Sequence, residues 1–279
     1  MAEAPTIQPI GFHLGLSSDW RVSAVSANVG DFLPASANSI LGRPVTDLFS
    51  ETAIHDIRNR MTLLPGAGTT EHLFQIALVD GGTPFDLSIR RNDDGFGIDA
   101  ERSGRHGFGD SVGVIEGMLA RIDDGDDVTR LNEQAARQTR ALTGFDQVSI
   151  WTRTGLKAFS ARTALSPPAL APGFDDFMVV DLNSAAVALQ FDLDHQINTP
   201  RSVLREPATE ERIWLAESGA KAAMILPLAN GAESWGAVCC LHHSPRHVSV
   251  ERRSIARLFA RILALQIIVV ELRVGRSGA

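Results

Sequence analysis

Histidines and cysteines lie close together near the C-terminus, where residues 239–243 contain two cysteines followed by a leucine and two histidines, and His247 follows. Imidazole and thiolate groups are common ligands of zinc and haem iron, so this segment is the first candidate for a metal site. Neighbouring residues of a strand point to opposite faces, which would admit only one of His242 and His243 to any one cluster. The segment therefore predicts no metal site.

Two adjacent pairs, His55-Asp56 and Asp194-His195, come nearest to a catalytic dyad. Residues adjoining in sequence cannot normally orient one another as a base and its carboxylate do, and no nucleophile motif lies near either pair. No other acid–base or nucleophile set assembles, so the sequence predicts a protein that is not an enzyme.

The composition is typical of a globular protein with two cores. The chain has 279 residues, 44% hydrophobic and 21% charged, and domains usually have about 100–200 residues. A net charge of −7 predicts no general affinity for nucleic acid or anionic membranes, and no apolar run is long enough to span a bilayer. The adjacent cysteines lie in an apolar run and are interpreted as reduced core residues of a cytoplasmic protein.

Short strands and short helices alternate in the first hundred residues. Two strands flank the turn at residues 17–19, and Ser50 is the expected N-cap of a helix with Ile54, Ile57 and Met61 on one face. Three further strands, separated by glycine-rich turns, complete this part of the chain.

The second part of the chain opens with helical periods over residues 110–122 and 128–142. Two strands follow, and residues 173–205 show no clean period. A short helix with Thr209 as its expected cap, a hairpin and a long helix over residues 248–274 complete the chain. The pattern predicts an α+β protein.

Four motifs carry a family resemblance. Ile7-Gln-Pro9 with Gly11, Leu142–Asp146, Ser202–Arg205 and Trp235-Gly236 occur in the order and spacing of bacterial phytochromes, light sensors that hold a bilin pigment. The chain resembles their PAS–GAF photosensory core over nearly its whole length. The resemblance implies a PAS domain at residues 1–104, with an antiparallel sheet and short helices. It also implies a GAF domain at 105–247, with an antiparallel sheet flanked by helices, and a C-terminal dimerisation and signalling helix at 248–279.

The family also threads its N-terminal segment through a loop of the GAF domain, which forms a figure-of-eight knot. The resemblance implies that Ile7 and Pro9 lie inside a lasso formed by residues 180–207. An unthreaded N-terminal strand is the alternative.

The residues expected to attach and contact the pigment differ from the family pattern. Residues 1–6 and 207–215, the segments of the two known attachment positions, contain no cysteine. Glu211 stands where the family has its pocket histidine, and Trp151 and Trp214 stand where it has tyrosines.

Further pocket positions have become apolar. Leu241 replaces a histidine that contacts the rotating ring of the pigment, and Ala223 and Ile225 replace serines that face its propionates. Arg205, which pairs with a propionate in the family, is retained. Exchange of polar for apolar side chains in a cavity indicates that core packing fills it.

The leading functional hypothesis is a phytochrome-like signalling and interaction module that has lost covalent bilin binding and has no cofactor. One alternative is a red-light photoreceptor that binds biliverdin or another tetrapyrrole without a covalent bond, and another is a GAF pocket for a different small ligand, such as a cyclic nucleotide. The residues expected to contact a bilin are Arg205, Glu211, Trp214, Trp151 and His242.

The last helix is apolar on nearly every side, which is more than one domain face can cover. We expect a homodimer through a helical bundle with residues 110–142, in addition to contact with an unidentified signalling protein. A core helix of a larger fold is the alternative. The residues expected at the dimer interface are Leu258, Ile262, Leu265, Val269 and Leu272.

Overall fold

The protein forms two compact units. One contains Met1–Arg105 and Ser184–Glu206, and the other contains His106–Asn183 and Pro207–Ala279. The structure, a computed structural model, describes residues 5–64, 66, 69–91, 94–104, 110–122, 127–163, 165, 175–192, 201–231 and 233–277. No helix within these ranges has both the length and the hydropathy needed to cross a membrane.

Twelve strands and six α-helices are found in the described ranges. The strands are β1 Thr6–Ile7, β2 Gly11–Ser17, β3 Val22–Ser26, β4 Thr70–Ala77, β5 Pro84–Arg91, β6 Gly95–Arg102, β7 Gln147–Thr152, β8 Gly155–Ala161, β9 Phe177–Val179, β10 Val187–Phe191, β11 Ala222–Asn230 and β12 Glu233–His242. The helices are α1 Ala37–Ile40, α2 Glu51–Met61, α3 Ser111–Leu119, α4 Val128–Thr143, α5 Thr209–Ser218 and α6 Val250–Ser277. Antiparallel sheets flanked by helices confirm the predicted α+β class.

The first unit is built on one antiparallel sheet with the strand order β1-β10-β3-β2-β6-β5-β4. Strand β2 contributes Phe12 and Leu14 to a core that also contains Ile54 and Ile57 of α2. The Oγ atom of Ser50 accepts a hydrogen bond from the N–H of Ala53 (3.3 Å), which confirms the predicted N-cap.

Strand β10 comes from the part of the sequence that showed no clean period. It pairs with β3 on one side, with Leu189 opposite Ser26, and with β1 on the other, with Val187 opposite Ile7. Its residues are half-buried or exposed without alternation, which explains why hydrophobic periodicity did not reveal it. The chain therefore returns from the second unit to complete the sheet of the first.

The second unit has a five-stranded antiparallel sheet with the order β8-β7-β12-β11-β9. Helix α4 packs against β7 and β8, and α6 packs against β11 and α4. Buried Ile255, Phe259 and Leu263 mark the face of α6 that lies in the core. This sheet positions most of the side chains that the sequence singled out.

Candidate functional site

One apolar cluster in the second unit collects residues that the sequence analysis assigned to the family's pocket positions. Trp151 of β7, Trp214 of α5, Ala223 and Ile225 of β11, and Leu241 of β12 are all buried and belong to it. We call these five residues the tryptophan cluster. Further buried residues that pack with them are Phe177, Val179, Leu215, Ala220, Ala237 and Cys239.

The two indole N–H groups of the tryptophan cluster differ in their hydrogen bonding. Nε1 of Trp151 donates to Oγ of Ser149 at 2.9 Å. Nε1 of Trp214 is buried and has no acceptor among the described residues. A buried donor without a hydrogen bond destabilises the folded state by about 1–3 kcal/mol. The indole N–H of Trp214 is therefore expected to lower the stability of this core.

Glu211 caps a helix. Its Oε2 atom accepts a hydrogen bond from the N–H of Ala208 at 2.7 Å, at the start of α5, and the side chain is buried. The N-cap residue of α5 is Ala208. The prediction of Thr209 as the cap was wrong, because Thr209 is already the first helical residue and the Glu211 carboxylate supplies the capping interaction.

The other two predicted bilin contacts lie elsewhere. Arg205 belongs to the first unit, where its Nη1 donates to the carbonyl of Glu206 at 3.1 Å. His242 follows Leu241 on β12, so its side chain points to the opposite face of the sheet from the tryptophan cluster. Of the five residues expected to contact a bilin, the structure brings Trp151 and Trp214 into one cluster.

The predicted lasso residues have different environments. Ile7 is fully buried, and its short strand lies between two segments of the chain. It pairs with β10 on one side. On the other side, the N–H of Gln8 donates to the carbonyl of Leu204 at 2.8 Å. Pro9 is exposed. Residues 193–200, which connect the two flanking segments, lie outside the described residues, so threading stays a prediction.

A second cluster joins Asp146, at the start of β7, to His242 and His243. Nε2 of His242 lies 3.4 Å from Oδ2 of Asp146, and Nδ1 of His243 contacts the same oxygen. The expectation that these histidines point apart was wrong. Strand β12 ends at His242, so the alternation of strand side chains does not extend to His243.

The environment of Asp146 affects its ionisation in two directions. Burial disfavours the charged carboxylate, but hydrogen bonds from the side chain and backbone of His243 and the charges of both histidines favour it. The net result is that the pKa of Asp146 is lowered. Asp146 is therefore a carboxylate at neutral pH.

The two cysteines are free and fully buried in β12. Burial raises the pKa of Cys239 to about 12 and raises that of Cys240 well above its ordinary value; the neighbouring Cys239 adds to the effect. Both are therefore neutral thiols, which are poor nucleophiles and poor metal ligands.

Sequence reasoning missed a buried polar cluster in the first unit. Asp99 of β6 contacts Nδ1 of His13, accepts a hydrogen bond from the hydroxyl of Ser202, and accepts another from the N–H of Val203 at 2.8 Å. The carboxylate lies between the serine and the histidine, whereas a catalytic triad needs the histidine in the middle. The Asp99 carboxylate therefore holds residues 202–203 against β6 by hydrogen bonds.

The chain belongs to the GAF domain family. The GAF domain model matches residues 127–267, and the PAS fold model matches residues 1–103. These matches give the chain a PAS–GAF architecture.

Comparison with known proteins supports a phytochrome-like architecture. The chain is 22% identical over 290 aligned residues to phytochrome-like protein Cph1 of Synechocystis, with 93% of this chain covered. It spans 39% of the length of that relative.

Solved structures show the same fold. The chromophore-binding domain of the bacteriophytochrome RpBphP3 from R. palustris superposes with a TM-score of 0.77 at 24% identity and 96% coverage of both chains. The photosensory core module of Stigmatella aurantiaca phytochrome gives a TM-score of 0.80 at 20% identity, covering 95% of this chain and 58% of that one.

Proposed function

We propose that this chain is a phytochrome-like signalling module that has lost covalent bilin binding and acts through dimerisation and contact with a signalling partner. The tryptophan cluster is the observation that carries the proposal. Its large apolar side chains occupy positions where the family resemblance implies polar contacts to a pigment. Trp151 and Trp214 are each only 6% exposed, and Leu241 only 1%. Close packing of these side chains, which offer few hydrogen-bonding groups besides the two indole N–H groups, argues against a tetrapyrrole at these positions.

The cysteines support the loss of a covalent bond. The sequence contains two, and both are buried in β12 as neutral thiols. A thioether forms through an accessible thiol, so neither Cys239 nor Cys240 is placed to attach a pigment. We also infer reduced thiols and a cytoplasmic location from this burial.

Exposed apolar residues on α6 support the proposed homodimer. Leu258, Leu265, Val269 and Leu272 are each at least 45% exposed, and Ile262 is half-buried. Successive members of this set are separated by four, three, four and three residues, which is the spacing of a two-helix seam. We call these five residues the α6 stripe, and propose that it packs against the same stripe of a second chain.

The proposed role is not enzymatic and includes no nucleic-acid or membrane partner. The net charge of −7 supports the second part of this proposal, since nucleic acids and anionic lipids attract basic surfaces. The buried Ser202–Asp99–His13 arrangement lacks the order of a nucleophile and its base.

A biliverdin titration tests the proposal. Purified protein is mixed with biliverdin, and its visible and far-red spectrum is recorded before and after red light, with a bacteriophytochrome chromophore-binding domain as the positive control. We expect no sharp red-shifted band and no photoconversion. A photoconverting band would show that the tryptophan cluster accommodates the pigment, and a covalent adduct on a denaturing gel would contradict the thiol argument directly.

Noncovalent tetrapyrrole binding is the second candidate, favoured by one observation. Nε1 of Trp214 is a buried donor without an acceptor among the described residues, and a ligand carboxylate or carbonyl could supply one. Glu211 is less suited to the same task, because its carboxylate already accepts a hydrogen bond from Ala208. If this candidate holds, Trp214→Phe should weaken biliverdin binding while Trp151→Phe weakens it less.

A further inference from the structure

The Asp146, His242 and His243 cluster has the donor set of a metal centre. We propose that these three residues bind a divalent transition-metal ion, with Zn²⁺ as the ion best suited to them. One ligand atom from each residue can be chosen so that all three lie within 4.8 Å of one another. Two imidazole nitrogens and one carboxylate oxygen are a common set of three protein ligands for zinc.

One distance within the cluster already matches that of a tetrahedral site. Zinc bonds to nitrogen and oxygen of about 2.0–2.2 Å place neighbouring ligand atoms about 3.3 Å apart. Nε2 of His242 and Oδ2 of Asp146 are already 3.4 Å apart. Nδ1 of His243 now hydrogen-bonds to the same oxygen and must move away to admit the ion. The His243 side chain is 57% exposed, which leaves it free to make this movement.

His242 is already oriented as a ligand. Its Nδ1 lies 2.9 Å from the carbonyl oxygen of Ser244, with the N and Oγ atoms of the same residue at 3.2 Å, so Ser244 engages this nitrogen. Nε2 is then the atom that faces Asp146. Metal-binding histidines usually use their second nitrogen in such a hydrogen bond, which fixes the ring. Phe145 packs edge-on against the His242 ring and fixes it further.

The charge of the cluster suits a cation. The Asp146 side chain is largely buried and brings a carboxylate, and both imidazoles offer lone pairs when neutral. The rings of His242 and His243 are nearly parallel, with centroids 5.0 Å apart, and both contact the Asp146 carboxylate. An ion bound here would replace the hydrogen bond between His243 and Asp146 with two metal bonds.

A bound ion would join two parts of the second unit. Asp146 precedes β7, and His243 lies in the connection from β12 to α6. Three protein ligands leave a fourth position for solvent or a partner's side chain. The site is on the opposite face of β12 from the tryptophan cluster, so it is independent of whether a pigment binds.

Metal titration of the untagged chain of residues 1–279 tests the site. Protein treated with EDTA and then freed of it is titrated with ZnCl₂ by calorimetry, and with CoCl₂ by visible absorption. We expect one Zn²⁺ per chain with a Kd of about 1 μM or tighter, d–d bands from Co²⁺, and a higher Tm with Zn²⁺.

Variants separate this site from adventitious binding. His243→Ala and Asp146→Asn should each weaken Zn²⁺ binding at least about tenfold, because each removes one of three ligands. His247→Ala, an exposed histidine outside the cluster, should bind like the wild type. If Asp146→Asn is unstable, the exposed His243 variant suffices. Absence of saturable binding, or equal binding by wild type and His243→Ala, would overturn the proposal.

Discussion

Nδ1 of His13 lies 2.8 Å from Oδ1 of Asp99, and each side chain is only 1% exposed. Strands β2 and β6 are neighbours, so this contact is made across one ladder of the first unit, where His13 pairs with Asp99. The same carboxylate also binds Ser202 and Val203, which come from the segment that returns from the second unit. One buried side chain therefore fixes three separate parts of the chain.

Asp99→Ala should lower the free energy of unfolding by about 3 kcal/mol or more, because it leaves the partners of Asp99 buried without an acceptor. Urea denaturation measures the change. The matched control is Asp47→Ala, which removes an exposed ion pair with Arg43 and should cost at most about 0.5 kcal/mol. Similar losses in the two variants would contradict the anchoring role of Asp99.

Trp151→Phe should destabilise the protein by about 1 kcal/mol more than Trp214→Phe. Both changes remove the same volume from the same cluster, so their cavity costs are similar. Only Trp151 loses a hydrogen bond, the one to Ser149, whereas Trp214 loses an unpaired N–H. Thermal and urea denaturation of the pigment-free protein measure the difference. The reverse order would indicate that Trp214 has a partner in solution.

Leu265→Glu should convert the proposed dimer to a monomer, because it places a charge in the centre of the α6 stripe. Val274→Glu is the control: it makes the same kind of change on the same helix at a 47% exposed residue outside the 4-3 spacing of the stripe. Sedimentation velocity at micromolar concentration distinguishes the two states. A wild-type monomer under these conditions would exclude the proposed interface.

Thiol reagents should label neither cysteine rapidly in the native protein at pH 8. Burial raises the pKa of Cys239 to about 12, so the reactive thiolate is scarce, and the reagent cannot reach the sulfur. Two thiols per chain should react once urea unfolds the protein. Fast labelling of the folded chain would place a cysteine at an accessible site.

Acid should destabilise the wild type more steeply than Asp146→Asn in metal-free buffer. The pKa of Asp146 is lower in the folded state than its ordinary value of 3.8. Its contribution is therefore fully present above pH 3.8 and is lost as the pH falls through the folded-state value. Tm measured between pH 5 and pH 2 tests this. Parallel curves for both proteins would show that the histidines do not stabilise the charged carboxylate.

Local signals in the sequence predicted the elements well, and the sites only in part. The cap at Ser50 and the buried face of α2 follow from spacing alone, so they were predictable. Trp151 and Trp214 could be grouped only through the family resemblance. The contact between His13 and Asp99 joins residues 86 positions apart, and no local pattern carries such pairings.

The histidine cluster was misread for a physical reason that is specific to strand ends. Alternation applies while the backbone stays extended, and β12 stops at His242. Its partner Asp146 is 97 positions from His243 along the chain. Predicting these ligands from sequence requires the position at which β12 ends. That position depends on the pairing of β12 with β7 and β11, which no local pattern encodes.

The insertion of β10 into the sheet of the first unit limits how this protein can be dissected. A fragment of residues 1–104 would lack β10, so β1 would lose its ladder and β3 would present a free edge, which is a common cause of aggregation. Exchanging the PAS domain with that of another PAS–GAF protein would have to transplant residues 184–206 as well. In a domain exchange, the part of this chain that must move together thus consists of two segments that are separate in sequence, residues 1–105 and 184–206.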